Sequence, residues 1–359
     1  MNVAGPASLR REPLRVAAVG GDGIGPEVTR AGVRLLERLA GDRLEIVSMD
    51  GSADRFLAEG VAISDVEWSL LGRCGGLLLG AFGDPRVPDH AHAEAWVLDL
   101  RRRLELYANL RPIKPLHDAL VPLRNVRARD IDVLIVRENT EGAYSGIGWQ
   151  RARDTSEEVA VVEDRITRRG VERVLAAGFA LARERRRRLH LADKSNAMRA
   201  HDLWRRVFDA LRAEYADVEA TAMYIDALCY ELVHEPAQFD VVVTGNLFGD
   251  IASDVGAALQ GGLGVSPSAC KKLDHPGHVA VFEPVHGSAP ELSGLGRANP
   301  FASMLSAAML LEHLGMPDAV ARVRASMTRA VEARQTPPDL GGKLDTAEAA
   351  EAVLERLQG

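Results

Sequence analysis

The chain has 359 residues, 47% of them hydrophobic, with 44 Lys and Arg against 51 Asp and Glu and a formal charge of -7. That acidic balance excludes non-specific nucleic-acid binding, which needs a positive surface to displace counterions, and the length suits two α/β domains better than one. No apolar run approaches the length that spans a bilayer, so no membrane role is expected. The opening MNVAGPASLRREP lacks the apolar core of a secretory signal. Cys74, Cys229 and Cys270 show no CxxC spacing. A cytoplasmic protein with neither a disulfide framework nor a zinc site is therefore expected.

In chain order, Leu14 to Val19 is an apolar run of buried-strand type. It leads through Gly20 to Pro26 into a helix, with Pro26 in the first turn and Val28, Ala31, Leu35, Leu36 and Leu39 at helical spacing. Gly76 to Leu79 is a second strand ending in the glycine turn Gly80 to Gly83, and Ile131 to Val136 a third. Arg101, Arg111 and Arg137 each stand near an element boundary. Guanidiniums clamp carboxylates in bidentate geometry, so three of them suit a substrate with two carboxylates. Each alone reads equally as a structural ion pair, and Arg101 opens an Arg-Arg-Arg run expected to be mostly exposed. Tyr144, in the polar loop ENTEGAYSG, is either a general acid or a packed loop tyrosine. The basic run Arg183 to Arg188 reads as a solvated helix end.

After the strand-like Leu189 to Leu191, Lys194 in ADKSN lies where a strand ends, the usual place for functional groups in α/β sheets. A lysine with a lowered pKa can act as a general base. Asp226 is a carboxylate in an otherwise apolar stretch, YIDALC, and a buried carboxylate needs a partner. In FDVVVTGNLFGDIASD, residues 239 to 254, a strand ends near Thr244 and a helix begins around Leu247. Asp250 and Asp254 then share one helix face. They read as a solvated pair or as ligands of magnesium or manganese, with Asp226 a candidate third. The tight loop HGSAPE, residues 286 to 291, is shaped to approach a cofactor backbone, whereas GDGIGP is neither a GxGxxG fingerprint nor a P-loop. Strands alternating with helices predict an α/β fold with a parallel or mixed sheet.

Six segments in order, GDGIGPEV, LYANLRP, VRENTEG, DKSN, FDVVVTGNLFGDIASD and FEPVHGSAPE, resemble the β-decarboxylating dehydrogenases: the isopropylmalate, isocitrate, homoisocitrate, tartrate and D-malate enzymes. The resemblance runs from about residue 14 to the end of the chain. It implies an isopropylmalate dehydrogenase-like two-domain fold with a mixed sheet, not a Rossmann fold. One domain takes residues 1–106 and 261–359, the other residues 107–260. It also implies a homodimer whose active sites are shared, with Asp250 and Asp254 binding metal from one subunit and Asp226 and Lys194 supplied by the other. Arg101, Arg111 and Arg137 would grip the carboxylates, Lys194 take the hydroxyl proton and Tyr144 protonate the enolate after decarboxylation. Glu94, Asn196, His286, Gly287, Ser288, Ala289, Glu291 and Asn299 fall on the cofactor side. Glu291 stands where the family contacts the adenosine ribose, and its charge favours NAD over NADP.

Substrate choice falls on the segment before Arg101. Val97 and Leu98 there offer an apolar wall that penalises a desolvated carboxylate, and Glu94 matches the isopropylmalate enzymes; core packing is the other reading of that wall. The loop around Tyr144 and the segment GDPRVPDH instead resemble the tartrate and D-malate branches. Asp193 stands beside Lys194 with the capacity to raise its pKa, and residues 149–154 have no reading. The expected substrate is 3-isopropylmalate, then D-malate or tartrate, then isocitrate or homoisocitrate. A non-catalytic regulatory subunit is the alternative of another class.

Overall fold

The computed structural model describes residues 13–88, 91–275 and 277–357. Among the described residues ten strands form one sheet: β1 (Leu14–Gly21), β2 (Leu44–Met49), β3 (Gly76–Ala81), β4 (Ala108–Ile113), β5 (Val133–Glu138), β8 (Arg188–Asp193), β9 (Glu219–Tyr224), β10 (Val241–Thr244), β11 (Pro267–Lys271) and β12 (Ala280–Pro284). The remaining two, β6 (Gly148–Arg151) and β7 (Val159–Val162), pair only with each other. The sheet order is β2-β1-β3-β12-β11-β4-β5-β10-β8-β9. Its outer portions are parallel, while β12–β11, β11–β4 and β4–β5 are antiparallel. This mixed centre separates the fold from the all-parallel Rossmann sheet. One half of the sheet comes from residues 14–81 and 267–284, the other from residues 108–244.

Continuous apolar sequence explains the central strands. The LLLGA of β3 and the VLIV of β5 are buried along their whole length, as strands covered on both faces must be. The helix Gly25–Ala40 lays Leu35 and Leu36 against the sheet, and Val28 against Ile24 and Ala298. Beside it the helix Phe301–His313 is apolar nearly all round, because it is enclosed by its neighbours on every side. The strand expected to end at Leu79 runs on to Ala81, since Gly80 packs against the Gly20 carbonyl of β1. The basic run is the largely exposed end of the helix Arg168–Arg183, as expected, with Arg185 alone turned partly inward. Arg183 pairs with Asp217, Arg188 with Glu219, and Arg185 with Asp132 and the fully buried Asp240. A buried carboxylate at the foot of β10 recruits the nearest cation. Residues 149–154 belong to the β6–β7 hairpin and the turn after β6, where Trp149 and Val162 are exposed. Among the described residues no helix is long and apolar enough to cross a membrane.

The loop after β1 is locked from both sides. Gly23 has φ +56°, and a Cβ there would lie 1.9 Å from the Ser288 carbonyl oxygen, which accepts the Ile24 amide at 2.8 Å. Asp22 closes the other side, accepting from the Ala53 and Gly83 amides at 2.7 and 2.9 Å and contacting His92 Nε2 at 2.6 Å. Gly23→Ala therefore meets fixed backbone in a conformation that side chains disfavour. It should cost about 2 kcal/mol or more, read as a lower midpoint in urea with an unchanged slope. An unaltered midpoint would show that the loop yields freely.

Candidate active site

A cleft of about 230 Å³ opens over the antiparallel centre of the sheet, lined among others by Val97, Leu98, Arg101, Arg111, Arg137, Tyr144, Asp250, Glu283, His286 and Gly287. Arg137 on β5 is 2% exposed. Its Nε and Nη2 donate to Asn246 Oδ1 at 3.0 and 2.7 Å, and its Nη1 donates to Asp250 Oδ1. Arg111 on β4 donates to Asp250 Oδ1 at 3.0 Å and to Ser253 Oγ at 2.6 Å. Arg101 pairs with Glu283 of β12 at 2.7 Å. Tyr144 donates its hydroxyl to Asp250 Oδ2 at 3.1 Å. The helix Asn246–Leu259 approaches closely because Gly249 lies over the Arg137 stem, where a Cβ would come within 2.6 Å of Cγ.

The electrostatics follow from that crowding. Burial opposes the charge on Arg137 and neighbouring Arg111 opposes it further, so its guanidinium is held below its ordinary value despite Asp250. Burial also opposes charge on Arg101, but Glu283 outweighs it and lifts that guanidinium. Desolvation works against the Asp250 carboxylate, yet Arg137 and Arg111 bring it below the usual range. Tyr144 is pushed up by burial and by Asp250, so its phenol stays protonated at neutral pH, as a general acid requires. Asp254 is raised by burial, against Arg111.

The Arg-Arg-Arg run is not mostly exposed at its first member. Arg101 is 5% exposed, because successive helical residues point about 100° apart and the first faces the cleft. The helix carrying it runs Ala91–Glu94, then one π-helical turn, Ala95–Asp99, then Leu100–Arg103. Trp96 and Leu100 fill the core, while Val97 and Leu98 face the cleft. Glu94 sits at the outer end, 3.5 Å from Arg102.

Lys194 and Asp226 do not line the cleft. Lys194, just beyond β8, pairs with Asp226 at 2.6 Å. Asp226 is exposed, not the buried carboxylate its apolar surroundings imply, because it occupies the first turn of the helix Ile225–His234 while Leu228 and Leu232 face inward. Asp193 also departs from expectation. It is buried against Arg205 and accepts the Ser195 amide at 2.7 Å, so its charge is spent there and Asp226 is the carboxylate facing Lys194. Among the described residues the three aspartates do not form a cluster within one chain; the set that close together is Glu231, His234 and Glu235. Asp250 and Asp254 still offer oxygen-only donors one helical turn apart, a donor chemistry that fits magnesium or manganese.

His286 and Gly287 reach the cleft, and burial keeps the His286 imidazole toward its neutral form. Ser288 donates to the Gly83 carbonyl at 2.7 Å and Ala289 takes φ +39°. Glu291 and Asn196 are exposed. Asn299 is held by Asp339 at 2.9 Å and by the Phe301 amide at 3.0 Å. Sequence reasoning missed Glu283, although it lies inside FEPVHGSAPE, and missed Asn109 inside LYANLRP. A polar residue at an otherwise apolar strand position is the signal that marks both.

Residues 15–353 match the family described as isocitrate/isopropylmalate dehydrogenase. The chain belongs to that family. It is 39% identical over 351 residues to a 3-isopropylmalate dehydrogenase of Thermobifida fusca, covering 96% of this chain and 98% of the other. It is 39% identical over 348 residues to one from Corynebacterium glutamicum, covering 96% and 100%. An isocitrate dehydrogenase structure from Methylococcus capsulatus superposes with a TM-score of 0.88 at 32% identity, covering 96% of this chain and all of that one. As an isocitrate/isopropylmalate dehydrogenase family member, the chain is a decarboxylating dehydrogenase, and such enzymes work with a divalent metal and a nicotinamide cofactor on a small molecule.

Proposed function

We propose that this enzyme oxidises and decarboxylates 3-isopropylmalate to 2-oxoisocaproate, with NAD as the acceptor. The observation that carries the reading is the apolar pair Val97 and Leu98 beside three buried arginines in one cleft. The arginines match two carboxylates, and the apolar pair matches an alkyl substituent. The similarity to enzymes named for this substrate supports it.

Groups of the cleft and groups lent by a partner subunit would divide the work. Arg101, Arg111 and Arg137 hold the carboxylates and fix the malate for reaction. Lys194 accepts the hydroxyl proton and Tyr144 returns a proton to the carbon left by carbon dioxide. Asp250 and Asp254, joined by Asp226, would hold magnesium or manganese. When bound, the cation would supply Lewis acidity and the nicotinamide a hydride acceptor. His286, Gly287, Ser288, Ala289, Asn196, Asn299 and Glu94 would border the cofactor, with the Glu291 carboxylate disfavouring a 2′-phosphate.

Because Lys194 and Asp226 lie outside the cleft of their own chain, the working unit is a homodimer in which each subunit lends these two groups to its partner's site. Exposed Trp149, Val162, Tyr230 and Ile251 offer apolar surface for that contact. The division into 1–106 with 261–359 and 107–260 places the cleft between the halves, and the cytoplasm suits a pathway enzyme of this kind.

Turnover of 3-isopropylmalate, D-malate, tartrate, isocitrate and homoisocitrate, followed as NADH absorbance with magnesium or manganese present, tests the reading. A kcat/KM advantage for 3-isopropylmalate is expected, and Leu98→Ser should cut it by about 10- to 100-fold while sparing D-malate. A D-malate or tartrate preference would favour the second reading, which rests on the loop around Tyr144. No turnover of any of them would leave a regulatory subunit.

A further inference from the structure

Beneath the cleft, Arg111 Nε donates to Asn109 Oδ1 at 2.8 Å, and Asn109 Nδ2 donates to Cys270 Sγ at 2.8 Å. Cys270 Sγ lies 3.3 Å from Glu283 Oε1, the same oxygen that takes the bond from Arg101 at 2.7 Å. We propose that this unbroken chain, Arg111–Asn109–Cys270–Glu283–Arg101, holds the two arginines at one separation and makes the Cys270 thiol a positioning residue for the dicarboxylate. The proposal rests on the reading that these arginines bind a malate.

The direction of every bond is forced by the groups themselves. Guanidiniums only donate, so Asn109 turns its oxygen to Arg111 and its NH2 to the sulfur. The sulfur, having accepted there, has its S–H left for the Glu283 carboxylate. Burial raises the thiol to about 11, so the proton is in place at neutral pH. Asn109 and Cys270 have no exposed surface, and each is the other's partner across β4 and β11. Water therefore cannot take over either role, and losing the thiol strands a buried amide donor.

The location adds a reason for the chain to exist. β4 belongs to the half of the sheet built from residues 108–244, and β11 and β12 to the half built from the chain's flanking segments. The thiol thus bridges an arginine carried by one half to an arginine anchored on the other. A dianion spanning both arginines senses any change in their spacing, whereas NAD does not.

The test compares wild type with Cys270→Ala and Cys270→Ser in the full-length enzyme. The alanine variant should raise KM for 3-isopropylmalate about tenfold or more, with kcat and KM for NAD nearly unchanged. Serine, which keeps one donor and one acceptor, should recover most of the loss and serves as the control for folding. Infrared spectroscopy supplies a readout without turnover. The S–H stretch lost in Cys270→Ala should lie below those of Cys74 and Cys229, because its acceptor is charged, and Glu283→Gln should return it toward them. An unchanged KM in a folded alanine variant, or a Cys270 band that ignores Glu283→Gln, would overturn the relay. Wild type that oxidises no malate would instead overturn the reading of the site and the substrate assigned to the relay, while the infrared band still reports the bonds.

Discussion

Replacing Lys194 with alanine should lower kcat by about two to four orders of magnitude, the usual worth of a positioned proton acceptor, and leave Tm and circular dichroism as they were. The side chain is partly exposed and its bond is to Asp226, itself on the surface, so the fold loses little. A second variant turns this into a test of shared sites. Asp250→Asn should also be inactive, since it removes a charge facing Arg111 and Arg137. Unfolding the two variants together and refolding them as a mixture should restore activity, because one site of each heterodimer then unites a native Lys194 with a native Asp250. If the mixture stays as inactive as its parents, Lys194 acts within its own chain or not at all.

Arg137→Met should reduce kcat/KM for 3-isopropylmalate by about two to four orders of magnitude. The basis is the roughly 3–5 kcal/mol lost when one partner of a buried, hydrogen-bonded charge pair with a ligand is truncated, written as a rate ratio. Asn246 Oδ1 loses both its guanidinium donors and Asp250 loses one. Some stability will fall as well, so the comparison is made on protein shown folded at the assay temperature. A folded variant within tenfold of wild type would remove Arg137 from carboxylate binding.

Legibility in the sequence tracked the range of the interaction that decides each feature. β1, β5 and β10 read directly because a strand buried on both faces is a continuous apolar run, and the helix carrying Asp250 and Asp254 read from their spacing and the strand before it. Glu283 stood out locally as a polar residue in an apolar strand, but its partner Arg101 is 182 residues away, so the pair itself was not legible. Asp226 misled for the opposite reason: its neighbours in the chain are apolar, but it begins a helix whose inner face is set by Leu228 and Leu232. Asp193 lies beside Lys194 in sequence, yet Arg205 claims it. The spacing of Cys270 is not of metal-binding type, which says nothing about a thiol used as a link between an amide and a carboxylate.

The π-helical turn at Ala95–Asp99 holds more backbone per turn than an α-helix does. Deleting Asp99 would absorb the extra residue and restore regular winding, so that the helix before Ala95 keeps nearly its present orientation while the residues inside the turn change register relative to Arg101. Val97 would move toward the place of Leu98, and the indole of Trp96 toward that of Val97. A point substitution alters the chemistry of one wall position; a lost codon here would replace the whole wall in a single step. On the proposed reading of that wall, selectivity is exposed to insertion and deletion as much as to substitution, and a natural or engineered change of substrate is best sought first in the length of this helix.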